Sequence, residues 1–154
     1  MMSADDIQAT NLAYYSERQA GRQWRVLIQT FVDEMFHSAG RADACEFLRH
    51  VGKRMAQSMP LGEQPTLSSL QAAMNQVWLD MDWGWVRLHS DGRSVEILHG
   101  AYPQAQVGGE TWREALAAVL EGIYQQWFVA QGEAALRVRC ESRQSDALVL
   151  RCSA

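Results

Sequence analysis

An α+β fold, with helices packed on one face of a small antiparallel sheet, follows from three features of the chain. Apolar residues recur at helical spacing as far as Met81, the period then falls to two, and turn signals divide the remainder. The order read from these features is helix, helix, helix, hairpin, helix, hairpin. With 154 residues and 47% apolar content, the chain can bury one hydrophobic core and is too short for two comfortable ones. Residues 1–23 are expected to form a polar N-terminal arm or weak helix, and residues 24–154 a single α+β domain.

The elements are read in order. Before Trp24 the sequence is polar, and Tyr14-Tyr15 is its one bulky insertion. Trp24, Leu27, Ile28, Phe31, Met35 and Phe36 then recur at helical spacing, and Gly40 follows as a stop. Arg41 to Met59 reads as a second helix, with Ala44, Phe47, Leu48, Val51 and Met55 on its stripe. Pro60 and Pro65 break it, and Thr66 or Ser68 caps a third helix carrying Leu67, Leu70, Met74, Val77, Trp78 and Met81.

Trp83–His89 and Ser94–His99 read as strands, joined through Asp91-Gly92, a strong hairpin signal. Val107-Gly108-Gly109 forms a glycine-rich loop. After it, Thr111 and Glu114 have capping-box spacing before a long helix whose stripe holds Trp112, Leu116, Val119, Leu120, Ile123 and Trp127. Gly132 ends that helix. Ala135–Glu141 and Ala147–Cys152 close the chain as alternating strands. Leu136, Val138 and Cys140 share one face of the first, and Leu148, Leu150 and Cys152 one face of the second.

Charge and cysteine usage narrow the function. A net charge of −4 argues against electrostatic nucleic-acid binding, so no nucleic-acid partner is expected. Of fourteen basic residues only Lys53 is a lysine. An Arg-biased surface suits protein interfaces, and genome-wide bias toward Arg accounts for it equally well. Cys45, Cys140 and Cys152 are odd in number and lack metal-ligand spacing, which fits a reducing compartment. No stretch approaches the ~18 apolar residues of a membrane span, so no membrane insertion is expected. The polar start, Met1-Met2-Ser3-Ala4-Asp5-Asp6, does not read as a secretory signal. The expected location is cytoplasmic, with the periplasm as the alternative.

No reactive constellation emerges. His37, His50, His89 and His99 fall into none of the spacings that a metal site uses and read as surface or interface histidines. Cys140 and Cys152 lie on neighbouring strands, but an apolar face makes small buried residues the better account. Gly108-Gly109 reads as a plain loop rather than an anion cradle, because the phosphate-binding glycine patterns are missing. Asp80 and Asp82 flank a turn and read as solvated turn residues rather than a glycosidase pair. The expectation is therefore a non-enzyme without catalytic residues, metal or cofactor.

The aromatics carry more weight. Alternation puts Trp83 and Trp85 on one strand face with Arg87 and His89, and Val86 and Leu88 on the core face. Trp85 beside Arg87 suits a protein interface or a carbohydrate platform, and a further helix covering that face is an equal alternative. Trp24, Trp78, Trp112 and Trp127 read as core or helix–helix contacts.

Several of these residues also carry a family resemblance. Trp83-Gly84-Trp85-Val86-Arg87-Leu88, Ile97-Leu98-His99, Pro103, and Val119-Leu120-Glu121-Gly122 with Tyr124 and Trp127 resemble the family of bacterial cellulose synthase accessory proteins called cellulose synthase operon protein D. The resemblance spans about residues 25 to 131. It implies a non-catalytic subunit that organises cellulose export and crystallisation. It also implies partners: the chain itself, as a dimer and then a ring-like octamer with internal passages; other cellulose synthase operon proteins; and glucan chains. Residues ahead of Leu27-Ile28-Gln29-Thr30 depart from the family, so no glucan contact of the family's N-terminus transfers to them. A cytoplasmic scaffold aligning synthase complexes is the favoured mechanism. The alternatives are a periplasmic glucan guide and a small-ligand sensor. Tyr14, Tyr15, Trp24, Trp85 and Arg87 are the candidate interface or glucan contacts.

Overall fold

The structure is a computed structural model that describes residues 4–19, 21–105, 109–144 and 146–154. Its elements are α1 (Ala4–Gln19), α2 (Arg22–Ala39), α3 (Arg41–Ser58), α4 (Leu67–Met81), β1 (Trp85–Ser90), β2 (Val95–Gly100), α5 (Glu110–Ala130), β3 (Arg137–Arg143) and β4 (Ala147–Ser153). The antiparallel sheet has the order β1-β2-β4-β3, so the two hairpins join through a β2–β4 pairing. The helices pack on one face of the sheet, as the change of period predicts. They do so at two depths: α4 and α5 lie on the strands, and α3 crosses α5 on the side away from the sheet.

That double layer explains α5. Its predicted single stripe is wider in the structure, because every residue from Glu114 to Tyr124 is buried, with Trp127 and Phe128. A helix with neighbours on opposite sides is apolar nearly all round. The crossing with α3 is close. A Cβ on Gly52 would fall 2.0 Å from the Val119 carbonyl oxygen, and one on Gly122 would fall 2.0 Å from that of Arg49. The two helices therefore touch backbone to backbone, and the buried stripe of α3 is mostly small: Ala44, Cys45, Gly52 and Ala56, with Leu48. Phe47, expected on the core stripe, lies outside it and is exposed, because it stands about 140° round the helix from Gly52, where α5 makes contact.

Local signals mostly hold. Thr66 caps α4 and forms a reciprocal box with Ser69. Asp91 shapes the β1–β2 turn, its Oδ1 accepting from the backbone N–H groups of Arg93 and Ser94, both at 2.8 Å. The Thr111 cap does not form. The helix begins two residues earlier than that cap implies, at Glu110 after Gly109, which places Thr111 inside the first turn and leaves the Glu114 carboxylate to pair with Arg41. Val107 and Gly108 of the expected loop lie outside the described residues.

Each edge of the sheet is closed by a pair of polar side chains one helical turn apart. On β1, Asn75 accepts from the Val86 N–H at 2.8 Å and donates to the Val86 carbonyl at 2.9 Å, while Gln71 accepts from the Leu88 N–H at 2.8 Å. On β3, Gln125 accepts from the Val138 N–H at 2.8 Å and donates to the Leu136 carbonyl at 2.7 Å; Glu121 accepts from the Cys140 N–H at 3.0 Å. Edge groups that would otherwise pair with another strand are thus occupied within the chain.

Candidate interaction surfaces

Most of the residues that carry the sequence resemblance gather in the core, Trp85 and Arg87 excepted. Ile97 and His99 face inward from β2, and His99 is fully buried. Its Nε2 lies 2.7 Å from the Trp83 carbonyl and its Nδ1 2.6 Å from the Tyr124 hydroxyl. A carbonyl only accepts, so Nε2 carries the proton and Nδ1 accepts from Tyr124. Burial lowers the His99 pKa to about 4, against the opposing pull of the Trp83 carbonyl, and raises that of Tyr124. The imidazole is therefore neutral and ties β2 to α5 and to the turn that leads into β1.

Three tryptophan rings close around that tie. Trp78 stacks parallel to Trp83 at 6.0 Å, meets His99 edge-on at 4.9 Å, and lies 5.1 Å from Trp127. Strand alternation predicts Trp83 on the outer face with Trp85; in the structure it turns inward. Asp82 at φ 57° and Gly84 at φ 87° interrupt the alternation on either side of it. Gly84 is needed twice over, since a Cβ there would also fall 2.0 Å from the Gly100 carbonyl oxygen.

Trp85 does face outward and is 40% exposed. Its partner across the ladder is Gly100, and its ring lies so close over that glycine that a Cβ would meet it at 2.2 Å. Arg87, two residues on, holds its guanidinium 5.3 Å from the ring centroid. Leu98 and Val149, paired across the ladder, share this outer face. Beside them Arg151 bonds Glu141 at 2.7 Å and Ser94 at 3.0 Å and pairs with Glu96. Trp85, Arg87 and His89 are exposed, so no described helix covers this side of β1.

Helix α2 presents a second surface. Trp24 is 61% exposed and Phe31 58%, with Val26, Leu27 and Ile28 also exposed, and Val32 is its one buried residue. The first part of the stripe that the periodicity marks as a buried face, Trp24 to Phe31, thus faces solvent in the single chain, whereas Met35 and Phe36 at its end pack against the core. Tyr14 and Tyr15 on α1 are exposed too, their rings edge to face at 5.7 Å.

The remaining candidates have local roles. Asp80 accepts from Gln76 at 2.9 Å, and Asp82 forms the left-handed C-cap of α4. Cys152 is fully buried and Cys140 partly so; burial raises both thiols to about 11, helped by Glu121 at Cys140 and by Glu133 at Cys152. His37, His50 and His89 are exposed. Among the described residues no three His, Cys, Asp or Glu side chains cluster as metal ligands would. Sequence reasoning missed the edge-closing residues Gln71, Asn75, Glu121 and Gln125. Their signal is a pair of polar residues four apart on an otherwise apolar helix face.

The fold defines the chain as an α+β domain with a helix-covered four-stranded sheet. The same fold occurs in the crystal structure of a trafficking protein particle complex subunit 3 from Naegleria fowleri, covalently bound to palmitic acid. That structure matches with a TM-score of 0.54 over 92% of this chain and 95% of that one, at 13% identity, so the likeness is one of fold. Sequence goes further: the chain belongs to the family of the cellulose synthase D subunit, whose model matches residues 10–153. It is 32% identical over 111 residues to a cellulose synthase operon protein D of Komagataeibacter xylinus, covering 71% of each chain. It is 31% identical over 108 residues to the protein of that description from Komagataeibacter sucrofermentans, covering 69% of each. Family membership places the chain in cellulose synthesis, in association with the proteins of that operon. No helix among the described residues is long and apolar enough to cross a membrane.

Proposed function

We propose that this protein is a non-catalytic accessory subunit of cellulose synthase that assembles with copies of itself into a ring-like oligomer. In this reading the oligomer is a cytoplasmic scaffold that aligns synthase complexes, so that glucan chains emerge close enough to crystallise. The observation that carries it is the apolar stripe of α2, Trp24, Leu27, Ile28 and Phe31, left in solvent by the single chain. Burying such a stripe against a second copy removes it from water, and closure of dimers into a symmetric ring covers what a dimer leaves. Tyr14 and Tyr15 supply rigid aromatic anchors close by in sequence, able to stack or hydrogen-bond at low entropic cost.

Light scattering of the purified protein at micromolar concentration, combined with the cellular location of a tagged copy, tests the reading. A mass of several chains that collapses in a Trp24→Ser, Phe31→Ser variant, together with cytoplasmic location, is the expected result. A monomer mass for the unaltered chain would sink it.

A second reading, direct contact with glucan, is favoured by Trp85. Its ring is held in place by Gly100 and flanked by Arg87, as an aromatic platform for a sugar ring requires. Cello-oligosaccharides that quench tryptophan fluorescence in the unaltered protein and not in Trp85→Ala would support it; equal quenching in both would remove it.

A further inference from the structure

We propose that the groove between α3, α5 and β3 docks an acidic helix of a partner protein. The groove encloses about 340 Å³. Its cations stand on two of these elements: Arg49 and Lys53 on α3, and Arg137 and Arg139 on β3. Arg49 pairs with Glu121, which also accepts from the Cys140 N–H, so the buried carboxylate of the groove is fully engaged. Among the described residues no carboxylate pairs with the other three cations. Arg137 donates to the carbonyls of Ala134 and Leu136, Arg139 donates to that of Val138, and Lys53 is exposed. On a protein of net charge −4, this is a local excess of positive charge, with one described carboxylate pairing among four cations.

Spacing selects the occupant. Arg49 and Lys53 are four residues apart on a helix, about 6 Å along its axis. Arg137 and Arg139 are two apart on a strand, about 7 Å. A helix with carboxylates at i and i+4 repeats at about the same interval and can meet both rows. An extended peptide cannot bind here by adding a strand, because Glu121 and Gln125 already fill the outward donors of β3. Gln126 and half-exposed Val129 offer the polar and apolar lining that an amphipathic helix needs beside its charges. The choice of a protein as occupant rests on the scaffold reading above; the groove's charge and shape do not.

The probe is a fluorescein-labelled helical peptide with Glu at i and i+4 along one face, read by anisotropy against the full-length protein. Saturable binding is expected, weakened by added salt and absent for the peptide with Gln in place of Glu. The double variant Lys53→Glu, Arg139→Glu should bind roughly tenfold or more weakly, whereas Arg93→Glu, at the β1–β2 turn, should bind as the unaltered protein does. If the charge reversals impair folding, shown by melting, Lys53→Gln with Arg139→Gln takes their place. Equal binding of the Glu and Gln peptides, or unchanged binding by the double variant, would overturn the proposal. So would displacement of the peptide by inorganic phosphate at equal concentration, which would mark a small-anion site instead. A solution mass or cellular location that defeats the scaffold reading leaves these binding measurements standing.

Discussion

Asn75 on α4 and Val86 on β1 bond each other twice, the side-chain amide taking the place of a neighbouring strand. Replacing Asn75 by Ala leaves a partly buried N–H and carbonyl without those partners, and a cost of about 1–3 kcal/mol is expected. Urea denaturation measures it. A loss below a few tenths of a kcal/mol, on the scale of an ordinary surface change, would mean that water replaces the amide freely.

His99 gives stability a defined dependence on pH. Its folded pKa is about 4 and its ordinary value 6.5, so between those limits the unfolded chain binds the proton more readily. Stability is therefore complete above about pH 6.5 and falls as pH drops toward 4, by up to about 3 kcal/mol from this group. The check is the difference between the unaltered protein and His99→Gln in urea midpoint at pH 7.5 and pH 5. The unaltered protein should lose more, and parallel losses would assign the acid sensitivity elsewhere.

Gly122→Ala tests the α3–α5 crossing. Alanine raises helix propensity by about 1 kcal/mol, so on an isolated helix it would stabilise. Here its methyl meets the Arg49 carbonyl oxygen at 2.0 Å and must force two backbones apart. A net loss of about 1–3 kcal/mol is expected in thermal melts. Gain of stability would show that the helices separate readily.

Removal of residues 2–23 should leave the melting temperature of the chain nearly unchanged. Ile7, Leu12, Tyr14 and Tyr15 of α1 are all exposed, so little core is lost with them. Cellulose organisation or partner recruitment should suffer instead. Failure of the truncated chain to fold would place α1 in the core.

The purified protein should neither hydrolyse cello-oligosaccharides nor transfer glucose. Turnover above background that disappears in Asp80→Asn or Asp82→Asn would show that one of these turn carboxylates is catalytic.

Much of the fold is legible in the sequence because its signals are local. Thr66, one of the two residues read as a cap, does cap α4, and Asp91-Gly92 turns the hairpin. Ile97, Leu148, Leu150 and Cys152 face inward as alternation requires. What is not legible depends on tertiary partners. Whether the α2 stripe meets this chain or another is not encoded in its spacing. Nor does Phe47 reveal which side of α3 meets α5. Trp83 defeats the two-residue period because left-handed residues on both sides rotate it into the core. The candidate surfaces are half legible. Trp85 and Arg87 stand together as expected, whereas the cationic groove assembles residues some ninety positions apart that no short motif joins.

At the contact of Gly52 with Val119 and Gly122 with Arg49, no side chain stands between the two helices. Side chains are the adjustable packing of most helix pairs, able to change rotamer and let an angle drift. At these two points main chain meets main chain and nothing can adjust, with Cys45 and Leu48 packed on the same stripe of α3. These contacts narrow the range of tilts open to α3, and with it the bearing of the surfaces that the two helices carry. A closed ring tolerates little error in the angle from one subunit to the next, since small deviations accumulate into an open spiral. Two hydrogen atoms in place of methyl groups would thus set the tolerance to which such a ring is machined.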